Sequence, residues 1–217
     1  MPIGHPLPQL WTSREHRFLA TLTSPAKIQG FLDGIPYSTD SIYRCPRSVV
    51  RDRCAHCYDG ALFAAAALRR LGYPPVIVNM LAERDDEHLV ALFQVAGHWG
   101  AVGKSNVVGL RFREPVYRSL RELMMSYFEQ YFNVEGLRSL RSYLAPLNLA
   151  TVDHLHWTTN DAAMDLIAAR LNRRRKVLLV TADMVSRLSS VDVRSFEAGF
   201  MGSEAAGLYR PTAPHAS

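Results

Sequence analysis

The hydrophobic pattern changes period along the chain, and each change predicts an element. From Cys57 to Leu71 the residues run Cys-Tyr-Asp-Gly-Ala-Leu-Phe-Ala-Ala-Ala-Ala-Leu-Arg-Arg-Leu, alanine-rich on every face. That pattern predicts a helix buried all round and packed closely on a sheet. Gly72 ends it, and Tyr73-Pro74-Pro75 prevents continuation. Val76 to Leu81, His88 to Val95 and His98 to Val102 are short apolar or alternating runs, separated by the charged turn Glu83–Glu87 and by Ala96-Gly97. They read as three antiparallel strands, and Val107 to Phe112 reads as a fourth.

Helical signals flank this block. Ser13 and Ser24-Pro25 mark starts for helices over Arg14 to Leu22 and from Pro25 to near Gly34. Ile35 to Arg47 reads as an irregular loop. Leu120, Leu123, Met124, Tyr127, Phe128 and Tyr131 repeat at three and four, a helical stripe. Residues 134 to 157 read as short helices and connectors. Thr159-Asn160-Asp161 caps a helix through Leu171, followed by a strand over Val177 to Thr181 and a mostly helical remainder, with Pro211 to Ser217 frayed. The order predicts an α+β fold in which a central Cys-bearing helix packs on an antiparallel sheet, with additional C-terminal helices. One domain is expected over residues 1–217, with a core over about 24–132 and a helical extension over about 133–210; no repeat or linker divides it.

Composition narrows the picture. With 217 residues, 48% hydrophobic and 21% charged, the chain resembles an ordinary globular domain. Its longest apolar stretch, Ala61 to Leu68, is far short of a membrane span, and Met1 to Pro6 lacks the features of a secretory signal, so a cytoplasmic protein is expected. The net charge of +5 comes from scattered basic residues. The one dense run, Arg173-Arg174-Arg175-Lys176, falls at an expected helix end, where cations suit the dipole. No nucleic-acid-binding motif accompanies it, and nothing in the chain sets the oligomeric state.

Candidate chemistry centres on Cys57. A thiol at the mouth of a helix meets free backbone N–H groups and the positive end of the dipole, which favour thiolate. The same N–H groups suit an oxyanion, together with a donor from the Ile35 to Arg53 loop. His88 opens a strand thirty-one residues later and supplies a base. Buried cysteines more often serve packing than chemistry, so the pair carries the reading rather than either residue alone.

The block Cys57-x-Asp59-x-Ala61, Leu68-Arg69-x-Leu71-Gly72-Tyr73-Pro74 and the apolar strand after it resembles the transglutaminase-like superfamily core. His88-Leu89-Val90-Ala91-Leu92-Phe93 and Gly97-His98-Trp99 resemble its second block. The resemblance covers roughly Ser48 to Phe112 and implies a papain-like fold with a Cys-His-Asp triad. Gly103 stands where the family's Asp would fall. A two-residue turn at Ala96-Gly97 would set His88 opposite Ser105, and a three-residue loop would set it opposite Asn106. Asn106 is taken as the third catalytic member, as an amide acceptor in the papain manner, with Ser105 the alternative.

The expected activity is thiol-dependent acyl transfer, chiefly hydrolysis of an amide or peptide bond in a peptide or protein substrate, with Cys57, His88 and Asn106 as catalytic residues and no cofactor or metal. The alternative is a catalytically silent binding or scaffold module of the same fold, which the missing carboxylate favours. Cys54-Ala55-His56-Cys57 also has C-x-x-C spacing, so a Cys54–Cys57 redox pair, or a zinc site with Cys45 and His56, are weaker readings.

Overall fold

The computed structural model describes residues 11–210; the expected fraying of 211–217 lies outside them. Helices α1 (Ser13–Thr21), α2 (Pro25–Asp33) and α3 (Pro46–Asp52) lead to the central helix α4 (Cys57–Arg70). Strands β1 (Val76–Ala82), β2 (His88–Val95), β3 (His98–Val102) and β4 (Arg113–Tyr117) follow, then helix α5 (Leu120–Met125). Strands β5 (Leu140–Leu144) and β6 (Leu147–Asn148), helix α6 (Met164–Asn172), strand β7 (Lys176–Leu178) and short helices α7 (Ala182–Val185) and α8 (Val193–Gly199) complete it. The fold is α+β around one seven-stranded sheet, ordered β4-β3-β2-β1-β5-β7 with β6 also on β1, and its pairings are antiparallel.

Strand alternation divides the core into two layers. Ile77, Leu89, Ala91, Phe93 and Val102 face α4 and the N-terminal helices. Val78, Met80, Val90, Leu92 and Ala101 face the opposite layer, which holds Leu123, Tyr127 and Tyr131. The alanines of α4 are fully buried, and their small side chains let the helix lie close to the sheet. Gly60 marks the tightest approach: a Cβ there would fall 2.3 Å from the Lys104 Cβ.

Three expectations change. Val107 to Phe112 is not a strand; it turns through a short 3₁₀ helix at Val108–Leu110, and the strand begins at Arg113. The turn is fixed by Gly109, where a Cβ would lie 2.4 Å from Gln130, and by the Arg113 guanidinium on the Gly109 carbonyl. The expected long helix after Ser119 stops at Met125. The segment expected as a helical extension supplies β5 and β6 to the same sheet as well as α6, α7 and α8, and the strand expected over Val177 to Thr181 is β7 at Lys176–Leu178. No described helix is long and apolar enough to cross a membrane.

Candidate active site

The mouth of α4 is built from side chains that satisfy its free N–H groups. His56 is the N-cap: its Nδ1 accepts from the backbone N–H of Tyr58 at 3.1 Å and of Asp59 at 3.4 Å, while the Asp59 carboxyl accepts from the His56 N–H at 3.4 Å. Asp59 is fully buried and also accepts from the Arg44 N–H at 2.8 Å. Burial pushes the Asp59 carboxyl up to about 7, and burial with the nearby Arg44 cation pushes His56 down to about 4. At neutral pH His56 is therefore neutral, while Asp59 is divided between its protonated and ionised forms with the Arg44 guanidinium 3.8 Å away.

Cys57 follows as the first helical residue. Its Sγ lies 3.7 Å from the Glu87 carbonyl oxygen, and the Leu89 backbone N–H is turned towards it, so the thiol sits against β2 on both sides of His88. Alternation places the His88 side chain on the Val90 and Leu92 face, away from the body of α4. Cys57 and His88 nevertheless line one small cavity of about 50 Å³ at the start of the strand. His88 Nε2 lies 2.6 Å from the Leu110 carbonyl, which can only accept; Nε2 is then the protonated nitrogen, and Nδ1 is left with a lone pair.

Burial decides both protonation states. The Cys57 thiol is pushed up to about 11 and His88 is pushed down to about 4. The helix-mouth position does not yield a resting thiolate, because desolvation outweighs the dipole. At neutral pH the pair is a thiol and a neutral imidazole, and nucleophilic attack by sulfur requires proton transfer in the same step.

The hairpin has the two-residue turn: Val95 pairs with His98, and Ala96 and Gly97 both have positive φ, at 48° and 80°. Its ladder ends at Ala91 and Val102. Beyond it, Gly103 is drawn off by Gln29, whose amide donates to the Gly103 carbonyl at 2.9 Å and accepts from its N–H at 3.1 Å. A side chain at 103 has little room, since a Cβ would fall 2.8 Å from Val90 Cγ1. Ser105 turns its hydroxyl to the Val107 N–H at 2.9 Å. Asn106 uses both halves of its amide on Glu204: Nδ2 donates to the carbonyl and Oδ1 accepts from the N–H, each at 2.8 Å. The acceptor that meets the imidazole is the Leu110 carbonyl. Trp99 packs on the Val90 layer.

Two further groups join the site. The bridge between Tyr37 and Ala55 brings residue 37 beside the helix start, where its hydroxyl faces the Cys57 backbone N–H. Burial and the neighbouring thiol raise the Tyr37 pKa, so it remains a hydrogen-bond donor. Tyr37 and Cys57 also line a larger cleft of about 620 Å³ that opens past Asp40, Tyr43 and Asn79 to residues 206–210. The Ile35 to Arg53 loop was the expected source of such a donor; nothing in the sequence singled out Tyr37 within it. Cys45, Cys54 and Cys57 are free thiols, and among the described residues no group of three or more His, Cys, Asp or Glu side chains is placed to hold a metal ion.

No protein-family model matches the chain, and no curated protein matches it. Among solved structures, LapG of Legionella pneumophila is similar, as is the same protein after EGTA treatment, each at 17% identity and a TM-score of 0.34. The match covers 41% of this chain and 59% and 57% of those chains, less than two thirds of their length. A likeness of that size says nothing of chemistry here.

Proposed function

We propose that the protein is a thiol-dependent acyl-transfer enzyme of transglutaminase-like, papain-like design that hydrolyses an amide or peptide bond. The observation that carries this reading is the shared cavity of Cys57 and His88, with His88 Nε2 held by the Leu110 carbonyl and Nδ1 left as the base.

Cys57 gives its proton to His88 Nδ1 as sulfur attacks the acyl carbon. The Cys57 backbone N–H and the Tyr37 hydroxyl stabilise the oxyanion. The imidazolium then protonates the leaving amine as the C–N bond breaks, leaving a thioester on Cys57. Water, deprotonated by His88, attacks the thioester; a carboxylic acid departs and the thiol is restored. The Leu110 carbonyl performs the orienting task of a triad's third member without a negative charge. Asn106 stands on the substrate side of this scheme, where it engages backbone rather than the imidazole.

The scheme is tested with p-nitrophenyl acetate as an activated acyl donor. One equivalent of p-nitrophenolate should appear with an acetyl group on Cys57, identified by peptide mass spectrometry, and His88→Gln should slow that step about 100-fold or more. Acetylation of Cys57 no faster than that of Cys54, and indifferent to His88→Gln, would refute it. That outcome selects the silent binding module, which the raised thiol pKa favours.

A further inference from the structure

The cleft at Cys57 is already lined by part of the chain. Residues 207–209 border the cavity that Cys57 shares with His88, and 206–210 border the larger cleft. This segment comes from the far end of the described sequence and lies across the site that α4 and β2 build.

Its attachment is specific. The Asn106 amide makes two antiparallel hydrogen bonds with the backbone of Glu204, which is extended at φ −78° and ψ 112°. Ser203 Oγ adds a third bond, donating to the Asn106 carbonyl at 2.6 Å. A carboxamide used this way pairs with a peptide unit as a neighbouring strand would, and reads backbone rather than side chain. A 3₁₀ turn at Ala205–Gly207 then presses the chain onto Tyr37. At Gly207 a Cβ would lie 3.0 Å from the Tyr37 ring and 3.2 Å from Asn106 Nδ2, so a larger residue crowds both contacts at once.

We infer that the Asn106–Tyr37 wall is a polypeptide-binding site and that residues 203–210 occupy it in cis, as a strap that covers Cys57 until a substrate polypeptide displaces it. The substrate class is then a polypeptide gripped by its backbone through Asn106, with a small residue where Gly207 meets Tyr37. The inference rests on the acyl-transfer reading only in calling the occupant a stand-in for substrate; the strap itself is a matter of access to the thiol.

The test is alkylation of Cys57 by N-ethylmaleimide in the full chain, followed at that residue by mass spectrometry. Opening the strap costs the Asn106 hydrogen bonds, so Gly207→Val should accelerate labelling by about tenfold or more. Adding a synthetic peptide of residues 203–210 to that variant should restore slow labelling, and the same peptide N-methylated at Glu204 should not. Asn106→Asp, which turns an oxygen towards the Glu204 carbonyl, should accelerate labelling in the same direction, and it guards against misfolding of the Gly207 variant. Unchanged labelling in both variants overturns the inference, as does acceleration that the peptide fails to slow or protection that survives N-methylation. Alkylation requires no turnover, so the strap can fail while acetyl transfer stands; acetylation repeated in Gly207→Val, where the strap is open, shows whether acetyl transfer fails for its own reasons while the strap stands.

Discussion

At its C-terminal end α4 is secured by permanent cations, Arg69 on both carboxylate oxygens of Asp153 at 2.6 and 2.8 Å and Arg70 on the Leu22 carbonyl at 3.0 Å, whereas its N-terminal end is closed by titratable groups, His56 held neutral and Asp59 raised to about 7 with the Arg44 guanidinium 3.8 Å away. The unpaired backbone groups that every helix leaves are met differently at the two ends: His56 takes the N–H groups of Tyr58 and Asp59, while the backbone N–H groups of Gly72 and Tyr73 take the carbonyls of Arg69 and Leu68 at 3.0 and 3.1 Å. The C-terminal solution is insensitive to pH and fixes the helix to the layer around it. The N-terminal solution leaves Cys57 and His88 desolvated beside one small cavity, where the proposed chemistry would move a proton between sulfur and nitrogen. One helix is thus anchored by fixed charge at one end and carries titratable groups beside the candidate site at the other.

Acid should separate the two ends most strongly. The folded pKa of His88 is about 4, below the ordinary 6.5, so the unfolded chain takes up a proton first as pH falls. Its stabilisation is complete above about pH 6.5 and is lost as pH falls towards 4. In urea melts, the stability advantage of wild type over His88→Gln should shrink by about 3 kcal/mol between about pH 7 and pH 4. A constant difference would show that His88 is solvated. Asp59 has the opposite sign: its folded pKa of about 7 makes its contribution complete below about pH 4 and lost as pH rises to 7, which is why the variant comparison is needed.

The charged end should respond next. Arg69→Met removes a two-pronged pair from a buried stem and should cost about 2 kcal/mol, equally at about pH 8 and about pH 5. A marked pH dependence would erase the contrast drawn between the ends. The smallest effect is expected at the cap: His56→Ala removes the acceptor for two N–H groups and should cost about 1 kcal/mol at about pH 7 in the same melts. A larger loss would mean that His56 also holds the Asp40 and Arg44 loop in place.

The parts of the fold written locally were legible. The α4 pattern, its Gly72 end and the β1 to β3 runs are decided by neighbours in sequence, and Ser24-Pro25 fixes the start of α2 as expected. β5 was not legible because it lies between β1 and β7: Leu140, Ser142, Tyr143 and Leu144 are buried together, and the alternation that would announce a strand is absent. At the site, Cys57 and His88 stand out by residue type and position. The Leu110 carbonyl has no side-chain signature, and any residue at 110 would offer the same oxygen. Asn106 was open to misplacement for a different reason. The chain leaves the hairpin at Gly103 because Gln29, 74 residues earlier, grips its backbone, and no local pattern encodes so distant a partner.

The strand order also sets a sequence of events during synthesis. Every partner that β2 needs has left the ribosome by Tyr117, whereas β5 begins at Leu140 and the segment held by Asn106 begins at Ser203. Contacts close in sequence cost the least chain entropy to form, so the β1 to β4 block can pack before the later strands join it. On the reading proposed above, a chain that has packed β2 holds Cys57 beside His88 before residues 203–210 exist to cover it, so the newborn protein passes through an interval in which the thiol stands open.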